Sequence, residues 1–172
     1  MMTESDRRVK ELSELLNRSD KLIITGTIES LRQQTPFKGA IGLLVALYDR
    51  TDDSEIKKAV AGFLNDIKDQ SVCEEVVSEI RRNRKSDTVS MLVSSCWQSG
   101  LNYSDYSVDM AKVFLESDYV TAIECMTVIE DTVDRMSKKK KEEVIRLIED
   151  SDIPQPGEKG ILLLELISIL ER

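Results

Sequence analysis

The sequence predicts an all-α protein in which about five antiparallel helix pairs are stacked along the chain. Apolar residues recur at helical spacing, and no stretch alternates apolar and polar residues for long enough to indicate a β-strand. Only three Pro and seven Gly occur among 172 residues, so long stretches are free of helix breakers. A recurring acidic turn divides these stretches into pairs.

An acidic dipeptide marks the turn inside each predicted pair. The five aspartates that end these dipeptides are spaced at intervals of 33, 34, 31 and 34 residues, which indicates a structural repeat. Ser and Asp suit such turns because their oxygens accept hydrogen bonds from the free N–H groups of the following helix. The dipeptides are Ser19-Asp20, Asp52-Asp53, Ser86-Asp87, Ser117-Asp118 and Ser151-Asp152.

The turns and the helical spacing place the predicted elements in order. The first helices of the pairs are expected at residues 4–18, 36–49, 71–84, 105–116 and 138–150, and the second helices at 20–34, 53–69, 87–99, 118–135 and 157–171. Pro36 and Pro156 are expected at the first helical position, and Gly100 is expected to end the helix before it. Because the turns are short, neighbouring helices should lie antiparallel.

Length and cysteine content favour a single domain, residues 1–172, that needs no metal or disulfide to fold. Cys73, Cys96 and Cys125 are far apart and are expected to be reduced thiols of a cytoplasmic protein. Residues 1–16 are charged from the outset, unlike a secretion signal. The longest apolar stretch, residues 161–170, is too short to cross a membrane.

The chain is acidic and contains no histidine. A net charge of −8 predicts repulsion from nucleic acid and favours a basic or apolar protein or peptide partner. The lack of His removes the commonest general base and the commonest metal ligand. The sequence therefore predicts no catalytic residue, no metal and no cofactor.

The helix rhythm and the turn aspartates, from Asp20 to Asp152, resemble those of HEAT-like (armadillo-type) repeats. Neither the TPLH stretch of ankyrin repeats nor the Trp, Gly, Tyr, Ala and Pro pattern of tetratricopeptide repeats is present. The stretch CWQSGLNYSDYS, residues 96–107, also resembles a segment of uncharacterised bacterial HEAT-like proteins. The resemblance implies a right-handed α-solenoid and supplies no activity.

Residues 96–107 allow two interpretations. In the first they form a corner between two helices, in which Gly100 stops one helix, Leu101 packs back on it and Ser104 caps the next. Trp97 is then a wedge between consecutive pairs. In the second, Tyr103, Tyr106 and part of Trp97 form an exposed aromatic cluster that binds a peptide.

Two basic runs interrupt the acidity, and they are expected on opposite edges of the stack. One comprises Arg81, Arg82, Arg84 and Lys85, and the other runs from Lys138 to Lys141. Because they cannot merge into one patch, they do not predict a nucleic-acid track. The four lysines are expected to be solvated and neutralised by the following Glu142 and Glu143. The alternative is an anion bound at this helix start, where the lysines oppose the helix dipole.

The last predicted helix is apolar on nearly all sides, so a further surface must cover it. The preceding pair could do so, or a second copy of the chain or another protein. A homodimer through this helix is one such arrangement. The apolar residues are Ile161, Leu162, Leu163, Leu164, Leu166, Ile167, Ile169 and Leu170.

These features together favour a non-enzymatic scaffold or adaptor that presents a curved surface, made largely by the second helix of each pair, to a peptide or protein. The candidate partner-binding residues are Trp97, Tyr103, Tyr106, Leu166 and Leu170. The alternative is a HEAT-like DNA-lesion-binding protein or glycosylase. Such proteins need a basic channel lined by aromatic residues, and the net charge here has the opposite sign.

Overall fold

The computed structural model describes residues 1–152 and 157–172, and all regular structure in these residues is helical. The predicted all-α class is confirmed, and each predicted helix boundary lies within four residues of the observed one. Short 3₁₀ turns occur at Gln70–Val72, Ser104–Tyr106 and Val133–Arg135. The α-helices are α1 Glu4–Leu16, α2 Lys21–Leu31, α3 Ala40–Arg50, α4 Ser54–Asp66, α5 Cys73–Ile80, α6 Ser86–Gln98, α7 Ser107–Glu116, α8 Tyr119–Thr132, α9 Lys138–Glu149 and α10 Glu158–Leu170.

The helices pack in two rows. The even-numbered helices follow one another, α2 on α4, α4 on α6, α6 on α8 and α8 on α10. In the other row α1 packs on α3, α3 on α5, and α7 on α9. Apolar side chains from both rows are fully buried between them, because each helix directs one apolar stripe inward. Examples are Leu44, Val60, Leu92, Phe114 and Ile129.

Polar side chains link residues that are far apart in sequence but similar in position within their helix pairs. Asn65 donates its amide to Gln98 Oε1 at 3.0 Å, across 33 residues. Gln70 and Asn102, 32 residues apart, form two hydrogen bonds, one in each direction, at 2.6 and 2.9 Å. Each of these bonds ties one helix pair to the pair that follows it.

Three of the five turn aspartates cap the following helix as predicted. Asp20, Asp53 and Asp118 accept backbone N–H groups of α2, α4 and α8 at 2.9, 2.9 and 2.8 Å. Asp87 is not the N-cap of α6, because the helix already begins at Ser86; its carboxylate accepts the Thr88 N–H at 3.0 Å and also pairs with Lys57. The cap prediction is also wrong for the fifth turn, since α10 begins after Gly157 without a side-chain cap.

The predicted boundary residues have mixed outcomes. Gly100 adopts the left-handed conformation, with φ of 71°, and ends α6 as predicted. Pro36 is not the first residue of α3, because Gly39 has φ of 99° and the helix can begin only after it. Ser104 does not cap α7, since it lies in a 3₁₀ turn and its own N–H donates to Asn102. The prediction for Pro156 lies outside the described residues.

The cap at Asp118 gives a test of the turn chemistry. The hydrogen bonds from Thr121 lower the pKa of the Asp118 carboxyl, so its stabilising effect is present above the pKa of an unfolded Asp and is lost as the pH falls through the folded pKa. Asp118→Ala should therefore melt below the unmodified protein at pH 7, and the gap should narrow below about pH 4. Asp118→Asn, which keeps an acceptor oxygen, should lie between them. Thermal melts at several pH values measure these differences. Equal melting temperatures of Asp118→Ala and the unmodified protein at pH 7 would contradict a stabilising cap.

Candidate interaction surface

Large apolar side chains that remain exposed are concentrated on the even-numbered helices. Among the helices of the described chain, the odd-numbered ones expose only Leu15 of this class. Scattered exposed apolar residues are normal, but their concentration on one set of helices is typical of an interaction surface. The exposed residues on the even-numbered helices are Leu22, Ile23, Trp97, Tyr119, Val120, Ile123, Ile161 and Leu164.

Helices α8 and α10 lie side by side and run in the same direction. At the start of α10, Lys159 donates to the carbonyl oxygens of Leu115 and Ser117, just before α8, at 2.8 and 2.5 Å. Just after α10, Arg172 pairs with Glu130, near the end of α8, at 3.4 Å. Because the helices are matched at both ends, the first turns of α10 lie level with the first turns of α8.

At this level the two helices expose the same short pattern. An apolar residue is followed three positions later by a second apolar residue and then by a glutamate, which places the three on one side of a helix. Residues 121–122 and 162–163, which lie inside the two patterns, are buried. We call the six residues the α8–α10 patch. They are Val120, Ile123 and Glu124 on α8, and Ile161, Leu164 and Glu165 on α10.

Helix α6 borders the patch. An open cleft of about 520 Å³ lies between α6 and α8, with Ser90 and Ser94 on one side and Val120 and Glu124 on the other. The cleft forms here because the serine side chains are short. Near the C-terminal end of α6, Trp97 is 37% accessible and donates its indole N–H to Glu124. This hydrogen bond orients the Glu124 carboxylate on the surface and places an aromatic ring next to the patch.

The charge on α6, α8 and α10 is almost entirely negative. The single basic residue of these helices, Lys159, is held by the two backbone carbonyls. Two of the carboxylates are paired, Asp87 with Lys57 and Glu130 with Arg172. Four others form no ion pair within the described chain: Glu124, Asp131, Glu158 and Glu165. The apolar side chains of the patch are thus flanked by uncompensated carboxylates.

The five sequence-predicted binding residues are not brought together. Trp97 is exposed on α6, as a binding residue requires, although it lies beside α8 rather than beside the two tyrosines. Tyr103 is buried and Tyr106 half-buried, with ring centroids 6.1 Å apart, so they form no exposed aromatic cluster with Trp97. Leu166 and Leu170 are also buried, because the inward side of α10 packs on α8 and α9. A partner at the surface of this fold cannot contact the three buried side chains.

The residues of the patch were missed for an identifiable reason. Helix α8 carries apolar residues on several sides, and residue type alone does not distinguish the exposed Val120 and Ile123 from the buried Ala122 and Ile129. The apolar character of α10 was recognised, and the preceding helices cover its inward side. However, Ile161 and Leu164 stay 67% and 57% accessible. The repeated spacing of apolar residues before Glu124 and Glu165 is the signal that could have identified the patch.

A second cleft, of about 870 Å³, lies at the edge of the fold between the turn that joins α5 to α6 and the helices α7 and α8. Its guanidinium groups are already paired. Arg81 binds Asp109 at 2.8 Å, and Arg84 binds the buried Glu79 at 2.7 Å. The three arginines of the first basic run therefore take part in ion pairs, whereas Lys85 forms none among the described residues.

The second basic run matches the prediction in part, because two of its four lysines pair with the following glutamates. Lys138 pairs with Glu142 at 3.9 Å and Lys140 with Glu143 at 3.5 Å, within α9. Ser137 caps the helix by accepting the N–H of Lys140 at 3.2 Å. Exposed pairs of this kind contribute little to stability, so the run is a solvated helix face.

The three cysteines lie inside the fold. Cys73, Cys96 and Cys125 are buried, and burial raises the pKa of each thiol, which favours the protonated form. Within residues 1–152 and 157–172, no three Cys, Asp or Glu side chains are grouped to hold a metal ion. In the same residues every helix is too short or too polar to span a bilayer.

No family model matches the chain, and no curated protein matches it significantly.

The α8–α10 patch combines apolar and charged side chains. Its exposed apolar side chains can release water on contact with an apolar surface. The carboxylates around them can attract cationic groups.

Proposed function

We propose that this protein is a non-enzymatic interaction module, a right-handed α-solenoid of the HEAT-like type that presents its even-numbered helices to a peptide or protein partner. One observation carries the proposal. The exposed apolar side chains are concentrated on the even-numbered helices, and on α8 and α10 they repeat at the same level of two parallel neighbours. Water-exposed apolar side chains in such an arrangement are stabilised when a partner covers them.

The packing order supports the solenoid part of the proposal. Each even-numbered helix contacts the next even-numbered helix, as successive repeats of a solenoid do. The hydrogen bonds from Asn65 to Gln98 and between Gln70 and Asn102 join residues 33 and 32 apart. These separations match the 33-residue interval between Asp20 and Asp53. A repeat of that length would bring equivalent positions of consecutive pairs into contact.

The small size of the α8–α10 patch limits the binding free energy that apolar contacts alone can contribute. The four aliphatic side chains are 36% to 67% accessible. Because full burial of an exposed side chain contributes about 1.5–3 kcal/mol, covering the rest of all four contributes about 3–7 kcal/mol. Association itself costs roughly 4–15 kcal/mol. Apolar contact alone therefore gives weak binding, and a stable complex needs charge complementarity or contacts with Trp97 and α6 as well.

The DNA-binding alternative is disfavoured by the same residues. A surface that follows a phosphate backbone needs unpaired Lys or Arg side chains. On α6, α8 and α10 the unpaired charges in the described chain are carboxylates, such as Glu124 and Glu165. The arginines of the second cleft are neutralised by Asp109 and Glu79.

Site-specific photo-cross-linking in the native cell tests the proposal. A photoreactive amino acid at position 120, on the patch, should give a discrete cross-linked partner, whereas the same amino acid at exposed position 139 on α9 should not. The partner, once purified, should form a stoichiometric complex with the unmodified protein and lose affinity for Ile123→Glu. Cross-links confined to position 139, or a turnover activity retained by Ile123→Glu, would contradict the proposal.

A further inference from the structure

We infer that the ligand of the α8–α10 patch is a basic amphipathic helix, whose apolar stripe covers Val120, Ile123, Ile161 and Leu164 and whose Lys or Arg side chains reach Glu124 and Glu165. The inference depends on the proposed function, because it specifies the partner of the same surface. It follows from the shape of the patch, its charge and the secondary structure around it.

The shape of the patch matches one face of a helix. On each of α8 and α10 two exposed apolar residues are spaced by three positions, so they span about one helical turn, and α8 also exposes Tyr119 next to them. Because α8 and α10 are in contact, parallel and level, the two pairs occupy the same level of two neighbouring helices. A helix with apolar residues at i, i+3, i+4 and i+7 presents a stripe of about this width.

The charge of the patch selects a basic helix. Glu124 and Glu165 directly follow Ile123 and Leu164, so each apolar ridge has a carboxylate at its edge. Neither carboxylate has a Lys or Arg partner among the described residues, and Glu124 is oriented by Trp97. An amphipathic helix with Lys or Arg beside its apolar stripe would place cations near both glutamates. An acidic helix would be repelled at the same positions.

The secondary structure argues against an extended ligand. An extended peptide gains affinity by adding a strand to a free sheet edge, and the described residues contain only helices. Alternate side chains of a strand also point in opposite directions. A strand would therefore direct every second residue away from the patch.

A designed peptide tests the inference directly. The probe is an amphipathic helix of about 14 residues made of Leu and Lys, with Leu at i, i+3, i+4 and i+7. The matched probe carries Glu in place of each Lys. Binding to the full chain would be measured by calorimetry and by the fluorescence of Trp97, the single Trp of the protein. We expect the Lys peptide to bind, more weakly at high salt, and the Glu peptide not to bind.

Variants locate the binding. The double variant Glu124→Gln, Glu165→Gln removes two charges from the patch and should lower the affinity for the Lys peptide about fivefold to tenfold. The double variant Ile123→Ser, Leu164→Ser should lower this affinity about 100-fold. The charge-matched control, Glu14→Gln with Glu149→Gln, changes exposed carboxylates on α1 and α9 and should have no effect. Since all six positions are partly or fully exposed, the variants should fold.

Four results would overturn the inference. The control variant could lower the affinity for the Lys peptide as much as Glu124→Gln with Glu165→Gln does, which would indicate that the net charge of the protein alone attracts the peptide. The Glu peptide could bind as well as the Lys peptide. Sedimentation could reveal a dimer that Leu164→Ser dissociates, in which case a second copy covers the patch. If position 120 still cross-links to a partner whose contacting segment is acidic or extended, the proposed function stands and only this inference fails.

Discussion

Replacement of Phe114 by alanine is expected to lower the free energy of unfolding by about 3–5 kcal/mol. The phenyl ring is fully buried on α7, which packs against both α8 and α9. Truncation leaves a cavity that the surrounding helices fill only in part, so the lost contacts add to the lost hydrophobic transfer energy. Urea denaturation followed by circular dichroism measures the change.

The control for Phe114 is an apolar residue of the α8–α10 patch. Leu164→Ala removes a side chain that is 57% accessible, so its free energy of unfolding should change by no more than about 0.5 kcal/mol. A loss below about 1 kcal/mol for Phe114→Ala would mean that the contact between α7 and its neighbours is not part of the core. A large loss for Leu164→Ala would mean that the patch is covered within the chain.

Replacement of Arg84 by methionine should cost about 3 kcal/mol, because it leaves the Glu79 carboxylate buried without its closest cation. Glu79 Oε2 accepts Arg84 Nη2 at 2.7 Å, and the carboxylate is only 4% accessible. The loss should fall at the lower end of the usual range, since Arg82 still approaches Glu79 at 3.4 Å. Denaturation curves at pH 7 measure it.

A double variant separates the charge from the packing at this site. With Glu79→Leu added to Arg84→Met, no carboxylate remains to be compensated, and much of the lost stability should return. A double variant less stable than Arg84→Met alone would show that the two side chains stabilise the turn between α5 and α6 through other contacts. Asp49 is the first such contact to consider, because it lies 3.9 Å from Arg84.

Local signals in the sequence predicted much of the fold. The spacing of the apolar residues predicted all the described helices. The caps formed by Asp20, Asp53 and Asp118 were also predictable, because each joins a side-chain oxygen to an N–H group only two or three residues away. The cap prediction was wrong where the helix begins earlier than expected. Asp87 is the second residue of α6 rather than its N-cap, and its carboxylate accepts the neighbouring Thr88 N–H and pairs with Lys57, 30 residues away.

The interaction surface could be predicted only in part, because exposure depends on how helices pack. Tyr103 and Leu166 have the residue types of a binding site but lie inside the fold. Val120 and Ile123 have the residue types of a core but lie outside it. The choice of the second helices as the binding surface remains a prediction, and the concentration of exposed apolar residues on them is consistent with it.

Methyl-detected NMR of the complex with the partner captured through position 120 tests the central claim most directly. The claim is that the α8–α10 patch contacts the partner. It predicts that the methyl signals of Val120, Ile123, Ile161 and Leu164 shift or broaden on addition of the partner, while those of the exposed Leu15 on α1 do not. Perturbations at Leu15 with unchanged signals from the patch would contradict it.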